Sequence, residues 1–139
     1  MSDLERISIT LPKDLAKAFT ASCEQKGYSN RSEAIRDLIR GALVKEEWQD
    51  PAAQVAASLT MIYDHHTRQL NEKLTELQHD HEDLIVSTLH VHLNHDNCLE
   101  VIVLRGEAQK VQDLSDKLRT FKGVKYAQVC FATDGSDLG

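Results

Sequence analysis

The chain opens with residues that alternate and continues with residues that do not. Over Glu5-Arg-Ile-Ser-Ile-Thr-Leu11, the apolar Ile7, Ile9 and Leu11 fall on one side of an extended backbone and Arg6, Ser8 and Thr10 on the other. That is the period of a strand. Pro12 then suits the first turn of a helix. Leu15, Ala18, Phe19 and Ser22 follow at helical spacing, with Gly27 as the stop. Asn30-Arg-Ser-Glu33 has the form of a capping box, and Ile35, Leu38, Ile39, Ala42 and Leu43 make a second apolar stripe. One strand and two helices carry too few apolar side chains for a core of their own, and a lone strand has no pairing partner. A dimer in which two copies of the strand pair as an antiparallel ribbon answers both needs.

Past Trp48 and Pro51 the period changes twice more. The pattern predicts a strand over about 55–63, a helix over about 66–80, strands over about 85–94 and 98–105, a helix over about 107–121 and a strand over about 124–132. Gly106 precedes the second of these helices and Gly123 the last strand. Strand–helix–strand twice over is the ferredoxin-like arrangement, so the expected class is α+β. The chain divides into an N-terminal unit over 1–46, a linker over 47–54, a ferredoxin-like unit over 55–133 and a disordered tail over 134–139. Trp48 is expected to pack at the edge of the linker.

Charge follows the same division. The net charge is −6, yet Arg6 to Lys45 carries eight basic and four acidic residues, while Gln49 to the end carries eight basic and fourteen acidic. Any contact with DNA therefore belongs to the N-terminal unit, since the acidic remainder repels phosphate. A two-stranded ribbon fits the major groove, where Arg6 could bond guanine and Ser8 or Thr10 several base edges. The same three residues also fit a solvated strand face. The helix start at Asn30, Arg31 and Ser32 is a ready site for a DNA phosphate. No apolar run is long enough to span a bilayer, no leader is expected, and three cysteines without framework spacing read as reduced thiols in the cytoplasm.

All seven histidines lie between His65 and His95. On the strand Thr88-Leu-His-Val-His-Leu-Asn-His-Asp-Asn-Cys98, His90 and His92 share a face and are roughly 6.6 Å apart along the chain. Asn94-His-Asp-Asn97 is turn-rich, and a return strand brings Cys98 back on the face of His92. Two imidazoles and a thiolate suit Ni, Cu, Zn or Co rather than Mg or Ca. A plainer alternative remains: two histidines on a solvated strand face beside an ordinary buried thiol.

Several of these segments, read together and in order, resemble the nickel-responsive transcriptional regulator (NikR) family. They are Arg6-Ile-Ser-Ile-Thr-Leu11, Gly27-Tyr-Ser-Asn-Arg-Ser-Glu-Ala-Ile-Arg-Asp-Leu38, Ile62-Tyr-Asp-His65, Gln78-His79 and Leu89-His-Val-His-Leu-Asn-His-Asp-Asn-Cys-Leu-Glu100. The resemblance covers nearly the whole chain. It implies a ribbon-helix-helix DNA-binding domain followed by a ferredoxin-like (ACT-type) domain that binds nickel and forms tetramers. It implies a homotetramer with two ribbon-helix-helix dimers flanking four central domains. It implies one Ni(II) per subunit, held by His90, His92 and Cys98 of one chain and His79 of a neighbour in a square-planar set. Glu33 and Asp37 match a second-cation position of the family and also fit an ordinary cap and surface pair. His65 and His66 match a position linked to additional metal sites and also fit exposed helix histidines. His81, two residues from His79, could compete as a ligand.

The function expected from these readings is a nickel-dependent repressor of nickel uptake, binding a palindromic operator through Arg6, Ser8 and Thr10. Metal capture by Cys98 and the histidines would order the neighbouring helix. The alternative is a metal-independent ribbon-helix-helix repressor with a structural metal. A metal-storage protein fits the basic N-terminal segment poorly. A metallohydrolase would need a base, for which Glu100 is placed, but no nucleophile elbow, phosphate loop or HExxH accompanies it. The chain is not expected to be an enzyme.

Overall fold

The structure is a computed structural model that describes residues 3–67 and 69–139. Four helices and four strands follow in the order α1 (Lys13–Gln25), α2 (Arg31–Glu47), β1 (Gln54–Asp64), α3 (Leu70–Asp80), β2 (Ile85–His92), β3 (Asn97–Glu107), α4 (Ala108–Arg119) and β4 (Val124–Phe131). The chain packs as two units, one ending at Gly41 and one running from Ala42 to Gly139.

In the N-terminal unit, α1 starts after Pro12, whose carbonyl accepts the Ala16 amide at 3.0 Å. Its end is set by Gly27 at φ +81°, a backbone region costly for any residue with a Cβ. The Tyr28 amide donates to the Cys23 carbonyl and the Gly27 amide to Glu24, which satisfies the last carbonyls of the helix. Asn30 caps α2 by accepting the Glu33 amide at 2.9 Å. The reciprocal half of the expected box is replaced, because the Glu33 carboxylate pairs with Arg36 at 2.6 Å instead.

Residues 3–12 belong to neither helix nor strand in the single chain; the strand expected over 5–11 is one that pairs with a second copy. The reason is pairing: a strand exists only against a neighbour, and among the described residues the four strands assigned all belong to the other unit. Ile7, Ile9 and Leu11 are exposed, as are Leu15, Leu38 and Ile39 on the helices. Only Cys23 and Ala34 are buried among the described residues of this unit. One copy cannot cover its own apolar stripes.

The second unit closes around one antiparallel sheet in the order β2-β3-β1-β4, the ferredoxin-like arrangement. Along β1 every second residue is buried: Val55, Ala57, Leu59, Met61 and Tyr63. Cys98, Ile102 and Leu104 do the same on β3. Leu70, Leu74 and Leu77 from α3 and Ala108, Val111, Leu114 and Leu118 from α4 complete the core on that face. Fully burying each such Leu contributes about 1.5–3 kcal/mol. Beside β4, the Trp48 indole donates to the Ala132 carbonyl at 2.7 Å and its ring meets Phe131 at 4.4 Å. The expected helix start near 66 falls later, at Leu70; residues 65–66 turn instead, and Arg68 lies outside the described residues.

Candidate metal centre

Register assembles the site. β2 pairs with β3 so that His92 lies opposite Cys98 and His90 opposite Glu100, and β1 sets Tyr63 opposite Cys98. Directly paired residues share a face. Tyr63, Cys98 and His92 therefore form one row across the sheet, with His90 and Glu100 in the next, on the face that carries the core. The turn that produces this register is held by Asn94, whose side-chain oxygen accepts the amides of Asp96 and Asn97 at 3.0 Å each. The Leu93 amide donates to the Asn97 carbonyl at 2.9 Å.

His92 Nδ1 stands 3.4 Å from Cys98 Sγ, and the His90 and His92 rings are 5.0 Å apart. Cys98 is fully buried. Burial, and the Glu100 carboxylate beside it, push the thiol pKa up. Without a cation the sulfur therefore keeps its proton, and a bound cation would reverse that preference. His90 Nδ1 is 3.0 Å from the Tyr63 hydroxyl, which leaves Nε2 as the ring nitrogen free to act as a donor to a metal. Behind these residues, Gln78 of α3 donates to Glu100 at 3.1 Å, and a cleft of about 370 Å³ opens between α3 and the two histidines.

His65 joins this group although periodicity assigned it to a helix surface. It follows β1 in a turn, and its amide donates to the Asp96 carbonyl at 3.1 Å, which ties the turn to the hairpin. One ligand atom each from His65, His92 and Cys98 lies within 4.8 Å of the others. His65 Nδ1 is buried with no hydrogen-bond partner. Burial, with His66 and His92 nearby, lowers the His65 pKa, so the ring is neutral at pH 7 and in its ligating form. An orphaned buried nitrogen beside a thiol and an imidazole is a donor set that fits a borderline-soft metal such as Ni(II). His66, His95 and Asp96 form a second, fully exposed trio.

His79, on the last turn of α3, is exposed and pairs with Glu82 at 2.9 Å. Among the described residues it joins no cluster of donors within its own chain. His81 follows that helix, and its amide donates to the Leu77 carbonyl.

Arg6, Ser8 and Thr10 are exposed on the extended N-terminal segment, and Asn30, Arg31 and Ser32 are exposed at the start of α2. Glu33 and Asp37 stand one turn apart on α2, with oxygens engaged by Arg36, Arg40 and the Tyr28 hydroxyl, the last at 2.7 Å from Asp37. Tyr63, Gln78 and Glu100 escaped the sequence reading as partners of the histidines. Only Glu100 carried a signal, a carboxylate at a core-facing strand position.

Residues 56–132 match the family described as the NikR C terminal nickel binding domain, and residues 5–46 match the ribbon-helix-helix proteins of the copG family. A protein of Solibacter usitatus named "Putative nickel-responsive regulator" is 50% identical over 99% of both chains. One of the same name from Desulfovibrio desulfuricans is 51% identical over 99% of both. An uncharacterized protein of Thermotoga maritima has a similar fold, with TM-score 0.50 and 18% identity over 56% of this chain and 96% of its own. The hairpin that pairs His92 with Cys98 lies inside the matched nickel-binding segment, and the likeness to the regulators runs from end to end. This chain belongs to the NikR family of nickel-responsive regulators, which are not enzymes.

Proposed function

We propose that this chain is a nickel-dependent, sequence-specific DNA-binding regulator that represses nickel uptake when Ni(II) is bound. The observation that carries the reading is the His92–Cys98 pair at 3.4 Å, with His90 on the same strand face. In this reading Cys98 gives up its proton and, with His90 and His92, holds one Ni(II) per subunit. His79 of a second subunit supplies the remaining donor, which suits its exposed place on α3 and its lack of a donor cluster in its own chain. Bound nickel supplies the Lewis acidity that keeps the Cys98 thiolate in a buried place. Residues 1–46 are the DNA-binding domain, 47–54 the linker and 55–133 the nickel-binding and tetramerising domain.

The exposed apolar residues support assembly. Ile7 and Ile9 suit a ribbon formed with a second copy, and Leu89, Val91 and Leu93 face away from the helices on β2 and just beyond it. A homotetramer built as a dimer of dimers uses both surfaces. The ribbon presents Arg6, Ser8 and Thr10 to a palindromic operator, and Asn30, Arg31 and Ser32 meet phosphate. A donor shared between subunits makes metal binding alter an interface, which biases how the two DNA-binding dimers are set. Three unpaired thiols suit the reducing cytoplasm.

The test is binding of labelled promoter DNA from the gene's own neighbourhood and from nickel-uptake operons, at fixed salt. Metal-free protein is compared with protein carrying one Ni(II) per chain. Tight binding only with nickel is expected. Equal binding in both states would reduce the metal to a structural part and leave a metal-independent repressor.

A further inference from the structure

The stretch after α2, where a linker is expected, is hydrogen-bonded along its length. The Gln49 amide donates to the Glu46 carbonyl at 3.0 Å, Asp50 to Glu47 at 3.2 Å and Ala53 to Asp50 at 3.1 Å. The Asp50 carboxylate accepts the Ala52 amide at 3.0 Å. Its carbonyls are engaged too: Pro51 accepts the Gln109 amide at 3.1 Å and Ala53 the Ala108 amide at 2.9 Å, which satisfies amides at the start of α4. Trp48 and Ala53 pack, half-buried, against the core. From the other end of the chain, the Ala132 carbonyl accepts the Trp48 indole N–H at 2.7 Å, while the Ala132 amide extends the β1–β4 pairing by donating to Ala56 at 2.9 Å. Beyond it, Asp134, Ser136 and Leu138 line a cleft of about 530 Å³ together with Leu43, Glu46 and Asp50. The division between the two units falls elsewhere, at Gly41 inside α2. Nothing local calls for glycine there: its φ is not positive, and a Cβ would meet no atom within 4 Å.

We propose that Trp48 and the C-terminal segment from Phe131 clamp residues 42–53 onto the ferredoxin-like unit, so that the chain bends at Gly41, inside α2, and not in the stretch after it. The reason is what each place loses on bending. Flexing the chain over 48–53 breaks its amide bonds, uncovers the first amides of α4, and separates the Trp48 ring from Phe131 and its N–H from Ala132. Bending at Gly41 opens a few helical bonds and removes no side-chain contact of residue 41 itself, which has no side chain to make one. Glycine inside a helix is also the weakest common residue short of proline, because its backbone gains most freedom on release. A chain opens first where fewest interactions are lost. The last turns of α2, from Ala42 to Glu47, then move with the second unit, and Trp48 decides that they do. The clamp is independent of the nickel reading, since it uses none of the proposed metal donors.

The experiment is residue-resolved amide hydrogen exchange on the full-length protein. The amides of residues 42–45, whose helical bonds span Gly41, should exchange faster than those of Gln49, Asp50 and Ala53. A flexible linker over 47–54 gives the opposite order, and that order would overturn the proposal. Gly41→Ala should slow exchange over 42–45 by about two- to fivefold and leave Gln49, Asp50 and Ala53 unchanged. Unchanged exchange over 42–45 in that variant would remove Gly41 as the pivot. Trp48→Ala should speed exchange at Gln49, Asp50 and Ala53 by more than about tenfold, through loss of one hydrogen bond and a half-buried ring. Unaltered rates there would show that Trp48 clamps nothing. If Trp48→Ala does not fold, Trp48→Phe keeps an aromatic ring beside Phe131 and removes only the N–H. It should speed the same amides by roughly two- to tenfold, and no change would overturn the clamp.

Discussion

His92 Nδ1 and Cys98 Sγ lie 3.4 Å apart because the residues are directly paired across the β2–β3 ladder. The contact joins an exposed strand residue to a fully buried one. A metal held by this pair would lie between the core and the surface, where a donor from another molecule could reach it.

Replacing the sulfur should separate the metal from the fold. Cys98→Ala removes a small buried group, and the cost in stability should be about 1 kcal/mol. The variant should unfold cooperatively by circular dichroism, yet fail to develop a thiolate-to-nickel band or nickel-dependent operator binding. Unaltered nickel-dependent binding would show that the metal sits elsewhere.

Thiol reactivity should follow burial and charge. The attacking species in alkylation is the thiolate, so a raised pKa means less of it at a given pH. Burial and Glu100 raise the Cys98 pKa, whereas Cys130 is exposed. In metal-free protein at neutral pH, iodoacetamide should modify Cys130 first. Modification of Cys98 should accelerate only as pH climbs past the usual thiol range. Peptide mapping after timed quenching measures this, and equal rates at both positions would contradict the burial argument.

Arg6→Ala should weaken operator binding by about 1–3 kcal/mol and relax discrimination between operator variants. Nickel affinity should not change, because residue 6 belongs to a unit that contains none of the proposed metal donors. Titrations on matched and mutated operators measure both effects. Intact specificity would mean that the N-terminal segment is not the reader.

Gly123 sits at φ +100°, where a Cβ would approach Thr67 Oγ1 to 2.6 Å. The Asp64 amide donates to its carbonyl at 3.0 Å, which anchors the end of β1 beside His65. Gly123→Ala should therefore destabilise the protein by about 1–3 kcal/mol through strained backbone and forced displacement. Chemical denaturation measures it; a neutral result would mean that the turn relaxes freely.

Much of the ferredoxin-like unit was legible in one dimension. Alternation over about 55–63 marked β1, where Val55 through Tyr63 place every second side chain in the core, and the helix expected over about 107–121 is α4. The same logic failed at His65 and His66. A helical period was extended back over a turn, since three or four residues contain too little periodic signal to separate the two. At Glu5 to Leu11 the alternation is genuine, and the strand expected there needs a second copy that one chain does not contain.

By itself, the sequence determined which residues could ligate a metal and that His90, His92 and Cys98 would share a face. Strand period and a short turn are local properties, so spacing alone dictates them. Only the tertiary structure decided which further groups surround that face. Tyr63 arrives from β1, Gln78 from α3 and His65 from a turn tied to the hairpin, each through register and packing between segments distant in the chain. The raised Cys98 pKa, the orphaned His65 nitrogen and the buried Glu100 all follow from that enclosure. Alternation marks which face turns inward, but how completely a polar group on that face is enclosed is a property of the assembled sheet and helices.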